Sequence, residues 1–155
     1  MKEIKLIAIC LTINIGLNSC GNGNKKNSDE MVLTETKTKF PYEFLETKKE
    51  DTSDYNYNEM LLYTCGEKPD LENLKLFCIE KKGEFTDGIF HFIVFFDKKE
   101  NAKFPNNPLT ALFMEDSELK HIKAVYTFNK LNGYSKLDFY EKNNLESPAK
   151  SLEIN

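Results

Sequence analysis

Two histidines, His91 and His121, are the whole imidazole supply of this 155-residue chain. His91 sits inside the apolar run Ile89-Phe90-His91-Phe92-Ile93-Val94-Phe95-Phe96, where a hydrogen-bonded buried ring is its ordinary role. His121 opens the run that continues through Phe128 and falls on its wetter face. If those runs are neighbouring strands, both rings and Asp138 share a sheet face, a two-histidine, one-carboxylate donor set. The close spacings of metal motifs, His-x-x-x-His and Cys-x-x-Cys, do not occur. The expectation is therefore no metal and no cofactor.

Nucleophilic chemistry has as little to draw on. The chain has no Gly-x-Ser-x-Gly elbow, no Gly-x-Gly-x-x-Gly and no Gly-Lys-Ser/Thr loop. Cys65 with either histidine would imitate a thiol nucleophile, but an exported cysteine is more readily oxidised to a bridge. The carboxylate pairs Asp29-Glu30 and Glu115-Asp116 read as solvated turns. Every basic residue is Lys, so an arginine fork for carboxylates or phosphates is excluded. The net charge of −4 disfavours nucleic acid, whose binding rests on neutralising phosphates. What remains is a milder feature. Tyr126, Tyr134 and Tyr140 lie on adjacent expected strands beside Phe128 and Asn132-Gly133, and amphipathic rings on a sheet form a binding surface.

The elements that must position these residues follow from patterning. Phe40 to Leu45 starts the folded part, Lys48 to Asn58 reads as polar loop, and Met60 to Thr64 as a short strand ending at Cys65-Gly66. Asp70 caps a helix whose Leu71, Leu74, Phe77 and Cys78 share a face, with Gly83 as its stop. Leu76 and Ile79 fall off that face, which leaves a strand over Lys75 to Ile79 as the alternative. Ile89 to Phe96 is apolar on both faces and belongs in the middle of the core. Leu109 to Met114 gives another strand. Ile122, Ala124, Tyr126 and Phe128 alternate with His121, Lys123, Val125 and Thr127 as a strand with one face buried and one mostly wet. Asn129 to Gly133 is a hairpin loop, and Tyr134 to Tyr140 returns. The sum is a small single α+β domain, with a short strand and one helix followed by an antiparallel meander of about four strands.

The first twenty residues set the location. Lys2 and Lys5 precede the uncharged run Leu6 to Leu17, which closes on Leu17-Asn18-Ser19-Cys20-Gly21. A charged start, a short apolar stretch and a small residue before the cut mark an export signal. The run covers only about 18 Å as a helix, too short for a stable span. Leu17, Ser19 and Cys20 resemble the lipobox of bacterial lipoproteins, and the resemblance implies that Cys20 becomes the lipidated first residue. The expected organisation is a signal peptide at 1–19, a flexible tether at 20–39, a globular domain at 40–142 and a polar tail at 143–155. Cys65 and Cys78 are the thiols left to an exported domain, which predicts one disulfide between them.

The expected protein is thus an envelope lipoprotein held at a membrane, the outer one favoured, and working without catalysis through an envelope protein partner. An immunity or inhibitor lipoprotein directed at a toxin or hydrolase is one alternative. A small-ligand module using the sheet face is another, and a metal-dependent or thiol enzyme a third.

Overall fold

The computed structural model describes residues 39–52 and 56–155. The expected signal peptide, Cys20 and all of the expected tether except Lys39 lie outside the described residues. Six strands form one mixed sheet in which spatial order equals chain order: β1 (Glu43–Asp51), β2 (Tyr57–Thr64), β3 (Phe90–Phe96), β4 (Ile122–Asn129), β5 (Ser135–Phe139) and β6 (Lys150–Glu153). Every neighbouring pair is antiparallel except β2 and β3, which run parallel and are joined by the main helix, α1 (Leu71–Glu84). A parallel pair needs such a crossover, because a tight hairpin reverses direction.

Helix α1 begins where Asp70 Oδ1 accepts the Asn73 amide at 2.8 Å, with Glu72 in the first turn and Lys81 and Lys82 in the last. Both ends therefore complement the helix dipole. It runs to Glu84, past Gly83, and lays Leu74, Phe77 and Cys78 on the sheet. Beneath it, Ile93 and Phe95 of β3 meet Tyr63, Ala124, Tyr126 and Leu137, with Phe40 and Tyr42 packed at the flank. The opposite face of β3 presents Phe92, Val94 and Phe96, joined by Met60, Leu62 and Val125. That face is covered by the long β3–β4 connection. It carries single 3-10 turns at Lys99–Asn101 and Leu109–Ala111 and the short helix α2 (Asp116–Leu119), and it contributes Leu109 and Phe113. With both faces filled, Ile93 to Phe96 are fully buried.

The structure departs from the sequence expectation in several places; Tyr57 and Asn58, expected as loop, begin β2, and Val125, expected on the wetter face of β4, is buried. Lys48 to Asp51, expected as loop, belong to β1, an edge strand whose charged side chains face water and so hide the pairing. Leu109 to Met114 is no strand: Leu109 and Phe113 are the buried pair, a spacing of four rather than alternation, and Leu112 sits at φ 54°, ψ −147°. Residues 150–153 of the expected tail form β6, which brings Ile154 into the core. Finally, the β3–β4 register slips between Phe95 and Phe96, which pair with Ala124 and Ile122. The extra residue, Lys123, is a bulge that turns Ile122 to the second face although Ala124 stays on the first.

Candidate functional site

The residues that promised chemistry are used by the fold. Register places Lys49, Glu59, His91, Phe128 and Ser135 in one row across five strands, on the helix side. His91 is 1% exposed, with Phe85 stacked on it at 4.1 Å. Its Nε2 lies 2.6 Å from the Asp87 carbonyl and its Nδ1 3.2 Å from Glu59 Oε2. Glu59 Oε1 in turn has Lys49 Nζ at 3.6 Å and accepts the Thr47 hydroxyl at 3.4 Å. Both ring nitrogens are committed, so the imidazole has no free edge to offer a substrate.

His121 stands at the far end of β3. Its carbonyl accepts the Asp97 amide at 3.0 Å, and its Nδ1 lies 3.1 Å from Asp97 Oδ2. Burial alone would raise Asp97, but the hydrogen bonds from Asn101 and His121, with the His121 charge, outweigh it and hold the carboxyl below its usual range. Asp138 pairs with Val125 on β4 and so faces away from the His91 row. The structure therefore does not assemble the two-histidine, one-carboxylate set. Among the described residues no group of three or more His, Cys, Asp or Glu is placed to hold a metal ion.

The expected Cys65–Cys78 bridge is not formed in this structure, where both are free thiols. Cys65 directs its Sγ at the Phe96 carbonyl, 3.4 Å away across β3, while Cys78 is fully buried on the inner face of α1. Burial pushes the Cys65 thiol up to about 12 and moves Cys78 upward as well. Neither has the thiolate character a nucleophile needs.

The three tyrosines do not share a surface. Tyr126 is 0% exposed beneath α1, where its hydroxyl pairs with Ser135 Oγ at 3.0 Å, and Tyr140 is buried in the core on the opposite face. Burial raises both phenols to about 12. Tyr134 alone is open, at 46%. It belongs to the β4–β5 hairpin tip, where Leu131 reaches 74% exposure.

That tip is an exposed loop held by its own hydrogen bonds. Asn129 Oδ1 accepts the Leu131 amide and Asn132 Oδ1 the Tyr134 amide, each at 2.9 Å. The Gly133 amide donates to the Asn129 carbonyl at 2.9 Å, with Gly133 at φ +73°, and Asn129 N–H donates to the Tyr134 carbonyl at 2.7 Å. Lys130 fastens the tip to the preceding loop, its amide donating to Ile89 and its ammonium to the Thr86 carbonyl. Such Asx turns fix a loop locally. Two recesses flank it. One of about 600 Å³ lies between Tyr57, Gly88 and Leu131, the other of about 360 Å³ between Lys82, Tyr134 and Glu153. Sequence reasoning named Tyr134 beside Asn132-Gly133 and did not name Leu131. The available signal was an apolar residue inside a turn, between two asparagines three positions apart.

A rigid tip with an exposed Leu and Tyr offers contact area rather than reactive groups. Among the described residues no helix is long and apolar enough to cross a membrane. The chain matches no family model, no curated protein and no solved structure.

Proposed function

We propose that this α+β domain is a non-enzymatic protein-interaction module, lipid-anchored through Cys20 in the bacterial envelope, with the outer membrane as the favoured site. Its antiparallel meander, β3 to β6, carries the contact at the β4–β5 tip. The observation that supports this reading is the tip itself: Leu131 and Tyr134 are exposed on a loop already fixed by its own hydrogen bonds. Ordering a side chain on binding costs about 0.5–1.5 kcal/mol, and a pre-formed loop has met part of that cost in advance. Tyrosine is also among the residues that dominate binding energy at protein interfaces. A toxin or hydrolase as the partner, the immunity reading, would use the same surface. The small-ligand reading loses support, because both sheet faces are filled.

The test combines two readouts on the full chain in a bacterial host. Intact mass and detergent partitioning should find an acylated protein, and Cys20→Ser should release it or leave the signal uncleaved. A photo-crosslinker in place of Leu131 should give a discrete protein adduct that Tyr134→Ala weakens, while the same probe at Lys75 gives none. Adducts of equal yield at both positions would remove the tip from the proposal. A soluble, unacylated wild type would remove the anchor.

A further inference from the structure

We propose that Asp97 to His121 is a hinged cover, able to open as a unit over the second face of the sheet while the rest of the domain stays folded. The two ends of this segment meet at one point, where the Asp97 amide donates to the His121 carbonyl and the two side chains pair. A segment joined at its own base can swing without unpairing the strands it connects.

Its hydrogen bonds are almost all internal. The amides of Asn101, Ala102, Ala111, Leu112, Glu118 and Leu119 find carbonyls three or four residues back. Among the described residues, two hydrogen bonds tie its interior to the sheet: the Leu109 amide donating to Glu50 Oε2 at 3.1 Å and the exposed Lys99 ammonium donating to Glu43 Oε1 at 3.2 Å. The ion pairs Lys99–Glu43 and Lys98–Glu67 are exposed and contribute little. By contrast, α1 on the other face is fastened across the domain, with the Lys82 ammonium donating to the Ile154 carbonyl at 2.8 Å.

The domain's unrelieved costs also gather in this layer. Leu112, at φ 54° and ψ −147°, occupies a region that glycine alone adopts freely. Glu118 is only 3% exposed, and its Oε1 has the Lys103 ammonium at 3.3 Å but no aligned hydrogen bond. Asn58 is buried on the covered face with its Oδ1 unpartnered, across from the same Glu50 that holds Leu109. Among the described residues the helix side also holds such an atom, the Tyr42 hydroxyl, but there no strained backbone accompanies it. A segment with local hydrogen bonds, one part-buried tie to the sheet and stored strain is the kind that opens below the global unfolding limit. Opening would uncover Phe92, Val94 and Phe96 with Met60 and Leu62.

Native-state hydrogen exchange on the full chain under increasing denaturant tests this. The amides of Ala111, Leu112, Leu119 and Lys120 should share one opening equilibrium and one denaturant slope, and exchange at least about 100-fold faster than those of Ile93 and Tyr126. Leu112→Gly relieves the strained backbone, and Glu118→Leu removes a buried carboxylate while its half-exposed partner Lys103 can return to water, so no buried charge is left unpaired. Each should slow exchange in the cover several-fold and leave β3 unchanged. Cover amides exchanging together with β3, or independently of one another with no denaturant slope, would overturn the proposal whatever the variants do.

Discussion

Gly88 tests how tightly His91 is held. The residue has φ +80°, and a Cβ built on it would lie 3.0 Å from both His91 Nε2 and Tyr57 Cε2, and 3.1 Å from His91 Cε1. The ring cannot retreat easily, because the Asp87 carbonyl, the Glu59 carboxylate and the stacked Phe85 fix it on three sides. Gly66 and Gly133 supply matched controls: their φ values are +78° and +73°, and nothing lies within 4 Å of an added Cβ. Alanine at either control site should cost backbone strain alone, about 1–2 kcal/mol. Gly88→Ala adds overpacking of about 1–3 kcal/mol, for a total of about 2–5 kcal/mol. At roughly 4 °C per kcal/mol for a domain of this size, the controls should melt about 4–8 °C below wild type and Gly88→Ala about 8–20 °C below. Urea unfolding with unchanged slope would confirm that stability, not compactness, has moved. In a His91→Ala background most of the excess should vanish. A Gly88→Ala loss within about 0.5 kcal/mol of Gly66→Ala would refute the close packing around the ring.

Phe95→Ala should cost about 3–5 kcal/mol in denaturant unfolding, since the ring is fully buried against Tyr42, Phe77 and Tyr63. Phe44→Ala at the edge, 49% exposed, should cost far less, and equal losses would contradict the layering. Alkylation mapped by peptide mass spectrometry should leave Cys65 and Cys78 unmodified at pH 8 in the folded protein and modify both once it is denatured. A Cys65–Cys78 linked peptide in an unreduced digest would count against the free thiols. Tyr126 and Tyr140 are neutral in the fold up to about 12, against the ordinary phenol near 10. Their contribution to stability is therefore complete below pH 10 and lost as pH rises from there through about 12. Phenolate absorbance should show both ionising late and together with unfolding, and early titration of either would deny its burial.

What patterning reveals depends on whether a segment is buried on one side, on two or on neither. β3 is apolar on both faces, β4 is rich in β-branched and aromatic residues, and α1 has its Asp70 cap, so each was readable as an element, although β4 proved buried on both faces. β1 was hidden because an edge strand turns charge to water and buries little, and β6 because Leu152 and Ile154 are too short a signal. The cover over the second face has no period at all: its shape follows from where Leu109 and Phe113 find space under β2 and β3. Among the candidate site residues, Tyr134 was legible from the Asn-Gly turn. Tyr126 and Tyr140 were not, because the side each presents depends on register. Tyr126 aligns with Leu61, Ile93 and Leu137 in a row under the helix. Tyr140 lies just past β5, its amide bonded to the bulged Lys123, and turns the other way. The histidines were placed correctly as a buried ring and a wetter one, but their separation by the length of β3 required the pairing.

Because spatial order in the sheet equals chain order, no strand has to be threaded between two that are already paired. The sheet can grow at one advancing margin, and loop closure is costly at two steps only, the α1 crossover and the long β3–β4 connection. The last strand to join has a disproportionate effect. As β6 docks on β5, Ile154 fills the space beside Leu137 under α1, and its carbonyl takes the ammonium of Lys82, 72 positions earlier. The helix and the final strand thus secure each other, and a folding chain halted before residue 150 would carry its main helix unlatched along that flank.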